Sequence, residues 1–201
     1  MLPDHPSGCA AGSLLLIIVV LSRRLASVEQ RWILLNSRVR SKACRHQPVS
    51  RQDAHFTRAL MLDNDANRLP VDEHLDDITR TLSSASRLIL MAQPGAGKTT
   101  RVPLALLQQP WVNGQKILLL EPRRVAARLA ATFMAEQLEE SVGASVGYRM
   151  RGETRCGPST RLEVVTQGVL TRMLQEDPFL EGVACIIFDE FHERSMEADL
   201  G

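Results

Sequence analysis

Two short stretches carry residue types suited to polyphosphate chemistry. The first is "MAQPGAGKTT", residues 91–100, and the second is "IIFDEFHERS", residues 186–195. In the first, Ala92-Gln93-Pro94-Gly95-Ala96-Gly97-Lys98-Thr99 fits G-x-x-x-x-G-K-[ST], except that Ala92 replaces the leading glycine. Gly95 and Gly97 allow the backbone to curl until successive N–H groups point inward, forming a cradle for phosphate oxygens. A helix beginning at Lys98 adds free N–H groups and a partial positive charge. Gly95, Ala96, Gly97, Lys98, Thr99 and Thr100 are therefore expected to contact the phosphates of a nucleotide. Lys98 reaches the β- and γ-phosphates, and the Thr99 hydroxyl ligates Mg2+. A chance glycine turn is the competing reading. It weakens when a buried strand precedes the loop and a helix follows it, as here.

In the second stretch the apolar run "ACIIF" delivers Asp189 and Glu190. Asp189 is placed to hold Mg2+, through water, and Glu190 to orient and deprotonate an attacking water. The expected catalytic set is thus Lys98, Asp189 and Glu190. An acidic pair that merely ends a strand is the alternative, and the phosphate loop upstream argues against it.

The intervening chain has the rhythm needed to bring these stretches together. Short apolar runs at 87–92, 116–121, 161–166 and 184–189 read as buried strands, with a weaker one near 145–150. Helices are expected over 71–82, 98–109, 123–140 and 168–176. Pro103 should perturb the second of these, and Leu129, Phe133 and Leu138 should lie on the inner side of the third. Alternating strands and helices imply an α/β fold with a mainly parallel sheet covered on both faces. Such sheets bind ligands beyond the carboxyl ends of their strands, where both motifs fall.

The net charge of +1 conceals an asymmetry. Nine of the 24 Lys/Arg but only three of the 23 Asp/Glu lie in residues 1–60, leaving 15 basic and 20 acidic residues beyond. Overall charge therefore gives no nucleic-acid signature to the organised region. Cys9, Cys44, Cys156 and Cys185 form no CxxC pair, which argues against a cysteine metal site and suits a reducing, cytoplasmic compartment. The apolar run at 10–21 is too short to span a bilayer comfortably, and no basic residue precedes it as in a signal peptide, so no membrane association is expected. Residues 1–60 are read as a poorly structured extension, and 61–201 as the domain. Met61 is a plausible start.

The motifs, with "LLLEPRRVAARLAA", "VGYRMR" and "TRLEVVTQGVLTRMLQEDP" between them, resemble those of DExH/DEAH-type superfamily 2 helicases, most specifically the bacterial HrpB type. The resemblance covers about two-thirds of the chain, from about Leu69 onward. It implies a RecA-like P-loop NTPase domain, with ATP hydrolysis coupled to binding of RNA or DNA. Arg123 and Arg124 resemble the family's backbone-binding motif Ia, and paired guanidiniums at a helix start suit phosphate oxygens. Thr166 and Gly168 resemble a second phosphate-gripping element. His192 resembles the histidine that couples the ATP site to a partner domain. Phe133 aligns where relatives often carry an adenine-stacking arginine.

The family's engine also uses a second RecA-like domain in cis, which supplies arginine fingers, and a strand lying between the phosphate-loop and acidic-motif strands. Neither is recognisable here. The chain is therefore read as an incomplete RecA-like domain, with a central vacancy in its sheet that should make it fold poorly. The alternative functions are a non-catalytic module that binds ATP and nucleic acid, or an inactive truncated helicase.

Overall fold

The computed structural model describes residues 14–20, 30–34 and 68–189. They form one eight-stranded sheet: β1 (Leu14–Val20), β2 (Gln30–Leu34), β3 (Arg87–Ala92), β4 (Lys116–Leu120), β5 (Val146–Met150), β6 (Glu153–Arg155), β7 (Leu162–Val165) and β8 (Val183–Phe188). The spatial order is β2-β3-β1-β8-β4-β7-β5-β6. Pairings of β2 with β3, β8 with β4, β4 with β7 and β7 with β5 are parallel, whereas β1 and β6 run against their neighbours.

Helices α1 (Leu75–Ser84), α2 (Lys98–Leu107), α3 (Arg124–Gln137) and α4 (Gln167–Glu176) fill the connections. Crossovers of this kind let parallel strands lie side by side. Their apolar residues form two clusters on opposite faces of the sheet. Ile78 and Leu82 of α1, Val102, Leu104 and Leu106 of α2 and Met134 of α3 join Leu88, Leu90, Ile117, Leu119 and Ile187. On the other face Leu170 of α4 joins Leu118, Leu120, Val165, Ile186 and Phe188. The expected α/β architecture is therefore present. The first expected helix is in fact a 3-10 turn, Pro70–His74, running into α1. Helix α2 passes through Pro103 unbroken.

The sequence reading leaves a vacancy between the phosphate-loop strand and the acidic-motif strand. In the structure that position is filled by β1. It pairs antiparallel with β3, from Leu14 opposite Ala92 to Val19 opposite Arg87. It also pairs antiparallel with β8, from Ile17 opposite Phe188 to Val20 opposite Cys185. Two facing strand edges inside a sheet carry N–H and C=O groups that need partners. The seven consecutive Leu, Ile and Val residues of β1 have strong extended-chain preference. Part of the segment expected to stand outside the fold is thus its central strand, and β2 pairs with the outer edge of β3. The rest of residues 1–60, and the proposed start at Met61, lie outside the described residues.

Helix α3 differs in phase from expectation. Its sheet-facing positions are Ala127, Ala130, Ala131, Met134 and Ala135, with Leu138 buried just past its end. Leu129 and Phe133 are 63% and 42% exposed, so neither is an inner residue. Small residues on the inner face let the helix lie close to β5, and they displace the larger apolar side chains outward.

Candidate nucleotide and nucleic-acid site

All strands except β1 and β6 point their carboxyl ends toward one rim, and both motifs lie there. The loop between β3 and α2 makes its curl at Gly95 and Gly97, whose φ angles are 77° and 88°. Gly97 is also the N-cap of α2, and its carbonyl accepts from the N–H groups of Thr100 (3.3 Å) and Arg101 (2.8 Å). A β-carbon at Gly97 would lie 2.7 Å from Leu69 Cδ1, so that side chain would have to shift, and the positive φ favours glycine independently. Ala96 is buried within the loop.

Lys98 is only 4% exposed. Its Nζ donates to the carbonyls of Ala92 and Gln93, each at 3.2 Å, so the ammonium lies across the mouth of its own loop. The next residue, Thr99, donates from Oγ1 to Asp189 Oδ2, 90 residues further along the chain. Asp189 is itself 4% exposed, and its N–H donates to the Leu120 carbonyl at 3.0 Å. The structure therefore brings together Lys98, Thr99 and Asp189. Glu190 and His192 lie outside the described residues.

A hydroxyl and a carboxylate in contact are hard oxygen donors. They suit Mg2+, which takes one or two protein oxygens and completes its shell with water and phosphate. Among the described residues no group of three or more His, Cys, Asp and Glu could hold a metal. The donor set thus fits Mg2+ held jointly with a nucleotide better than an all-protein metal centre.

The other expected contacts border the same rim. Arg123 caps the start of α3 and Arg124 is its first residue; both side chains are exposed. Thr166 caps α4, its carbonyl accepting from Val169 N–H (2.9 Å) and Leu170 N–H (3.1 Å), while its hydroxyl makes no capping bond. The space beside Gly168 is open, with no atom within 4 Å of where a β-carbon would stand. One residue was given no role from the sequence. Glu121, at the end of β4, is a buried carboxylate whose N–H donates to the Val165 carbonyl at 3.0 Å. Its only sequence signal is an acid closing an apolar run.

The thiols stand apart from this chemistry. Cys185 is buried in β8, and burial pushes its thiol up to about 12. Burial and the nearby Glu163 carboxylate push Cys156 up as well. Neither has the lowered value that marks a reactive cysteine.

A glycine-rich phosphate loop and an acidic strand end meeting on the rim of a mainly parallel sheet define a P-loop NTPase core. Residues 75–199, more than half of the chain, match the family model "DEAD/DEAH box helicase", and the chain belongs to that family. Within it, the chain is 57% identical over 132 residues to the ATP-dependent RNA helicase HrpB of Escherichia coli (strain K12), covering 66% of this chain and 16% of that protein. It is 36% identical over 131 residues to the ATP-dependent RNA helicase HrpA homolog of Haemophilus influenzae, covering 65% and 10% of the two chains. The crystal structure of Escherichia coli DEAH/RHA helicase HrpB superposes with a TM-score of 0.56 and 50% identity, over 66% of this chain and 17% of that one. The HrpB-type resemblance read from the sequence is borne out. The chain spans about a sixth of HrpB's length.

Proposed function

We propose that this chain carries the ATP-binding half of a DEAH-type helicase engine, which couples ATP hydrolysis to movement on RNA. The observation that carries the reading is the meeting of Thr99 and Asp189, since it joins the phosphate loop to the acidic motif at one point. Gly95, Ala96, Gly97, Lys98, Thr99 and Thr100 would hold the ATP phosphates. Lys98 would exchange its two carbonyl partners for β- and γ-phosphate oxygens. Thr99 and Asp189 would hold Mg2+, which when bound neutralises charge on the phosphates. Glu190, one residue beyond Asp189, would take the proton of the attacking water.

RNA rather than DNA is favoured because the relatives are named RNA helicases. Arg123, Arg124, Thr166 and Gly168 would contact the RNA backbone, giving affinity without sequence preference. His192 would transmit the state of the ATP site to a second RecA-like domain in cis, whose arginines would complete the transition-state contacts. Among the described residues no helix is long and apolar enough to cross a membrane. The proposed compartment is the cytoplasm.

ATP hydrolysis by a helicase that carries this domain together with its second RecA-like domain, measured with and without RNA, tests the reading. Turnover stimulated by RNA, lost in both Lys98→Ala and Glu190→Gln, with ATP binding kept in Glu190→Gln, is the expected result. Turnover that persists in Lys98→Ala would refute it. ATP binding with no hydrolysis for Glu190→Gln to remove would point to the non-catalytic module instead.

A further inference from the structure

The turn that precedes α1 touches the phosphate loop from outside. The Val71 N–H donates to the Ala96 carbonyl at 3.0 Å. The Leu69 side chain lies over Gly97, with its Cδ1 2.7 Å from where a β-carbon would stand. Asp72 holds this turn in shape: its Oδ2 accepts from the Leu69 N–H at 2.8 Å. Its Oδ1 faces Arg101 Nε at 3.7 Å. Arg101 lies one helical turn beyond Lys98, is buried, and donates from Nη1 to Gln137 Oε1 of α3 at 2.5 Å. One short segment is thus tied to the loop, to the helix that follows the loop, and through that helix to α3.

The bond to Ala96 has a geometric consequence. Across a trans peptide the carbonyl of one residue and the N–H of the next point in opposite directions. No peptide bond among the described residues is cis. With the Ala96 carbonyl turned to Val71, the Gly97 N–H is turned the other way, away from the Leu69–Asp72 turn. Rotation of this one peptide plane would replace that donor with a carbonyl, which repels phosphate.

We propose that Leu69–Asp72, braced by Arg101, is a positioning element that locks the Ala96–Gly97 peptide with its N–H toward the nucleotide's phosphates. The proposal rests on the ATP-site reading above and adds residues to it that touch no substrate. Leu69 and Asp72 act through the loop, so their loss should weaken phosphate binding more than folding.

The test uses the 201-residue chain, a fluorescent ATP analogue with Mg2+, and thermal melting in the absence of nucleotide. The double variant Leu69→Ala/Asp72→Asn opens the space over Gly97 and removes the charge facing Arg101. Its affinity for the analogue is expected to fall about tenfold, the scale of one lost hydrogen bond of ~1.4 kcal/mol. Its melting midpoint should stay within a few degrees of the unsubstituted chain. Leu69→Met alone, which keeps an apolar wall over Gly97, should bind as the unsubstituted chain does. Unchanged affinity in the folded double variant overturns the proposal. So does an affinity loss matched by collapse of the melting transition, since that is the mark of a purely structural role. If the unsubstituted chain fails to bind the analogue, or binds it regardless of Lys98→Ala, the underlying ATP-site reading falls and takes the proposal with it.

Discussion

Replacing Thr99 by valine keeps the shape of the side chain and removes only the hydroxyl that donates to Asp189. Asp189 is 4% exposed, so water is poorly placed to replace that donor. Removing one partner of a buried charged hydrogen bond costs about 1–3 kcal/mol. For a domain of this size that lowers the melting midpoint by roughly 2–4 °C per kcal/mol. Asp189→Asn behaves differently. A carboxamide oxygen still accepts from the Thr99 hydroxyl, so stability should change by less than about 1 kcal/mol, yet the charge that would attract Mg2+ is gone. The two variants therefore separate the two roles of one contact. Thr99→Val should lose both stability and the dependence of ATP-analogue affinity on Mg2+. Asp189→Asn should lose only the Mg2+ dependence, and Thr99→Ser should keep both. Melting curves and Mg2+ titrations of analogue binding on the same samples measure this. An unmoved midpoint in Thr99→Val, or full Mg2+ dependence in Asp189→Asn, would show that the contact does not do what the geometry implies.

Three further outcomes follow from the same structure. Ile17→Pro breaks a central strand paired on both sides, whereas Trp32→Pro alters an edge strand paired only with β3. Urea unfolding should show a loss of about 3 kcal/mol or more for the first and a clearly smaller one for the second; equal effects would contradict the placement of β1. The Cys185 thiol ionises near 9 in an unfolded chain and at about 12 in the fold, so the unfolded state releases its proton first as pH rises. Stability should be unaffected by this group below pH 9 and fall by up to ~1.4 kcal/mol per pH unit above it. Cys185→Ala should flatten that alkaline limb in urea midpoints measured between pH 8 and 10.5. Arg123→Ala and Arg124→Ala should each weaken RNA binding evenly across sequences and lower the slope of log affinity against log salt by about one, as read by fluorescence anisotropy. A sequence-dependent loss would instead mark a base contact.

Much of this was legible in the chain because local rules and the global fold agree. The runs "KILLL" and "ACIIF" are buried on both sheet faces, so they read as uninterrupted apolar segments, whereas in "RLILMA" Leu88, Leu90 and Ala92 are buried and the alternate positions are partly open. The glycine loop announces itself because residues other than glycine rarely adopt positive φ angles such as those of Gly95 and Gly97. What escaped the sequence depends on distant partners. "LLLIIVV" has the composition of a signal core as well as of a strand, and only the facing edges of β3 and β8 decide between them. Helix α3 is rich in alanine on its inner face and carries leucine and phenylalanine outside, so apolar periodicity points to the wrong side. The Leu69–Asp72 turn carries no motif at all, because its contribution lies in a backbone N–H and in where its leucine rests.

The positions of Lys98 and Thr99 bear on how ATP would enter. Each already has oxygen partners: two carbonyls for the ammonium and a carboxylate for the hydroxyl. Binding would exchange those oxygens for phosphate and metal-bound ones rather than create every contact anew. An exchange of this kind gives less net affinity than the same contacts formed from nothing, because the chain's own hydrogen bonds are lost in the process. It also means that the loop need not order around its ligand, so less conformational entropy is lost on binding. The two effects oppose each other. Exchanging uncharged carbonyls for phosphate oxygens would add attraction between opposite charges at a buried ammonium, which would tip the balance toward binding. On this argument the selectivity of the site for triphosphate over an unphosphorylated nucleoside resides chiefly in Lys98, and Lys98→Ala should erase it while Leu69→Ala/Asp72→Asn only reduces it.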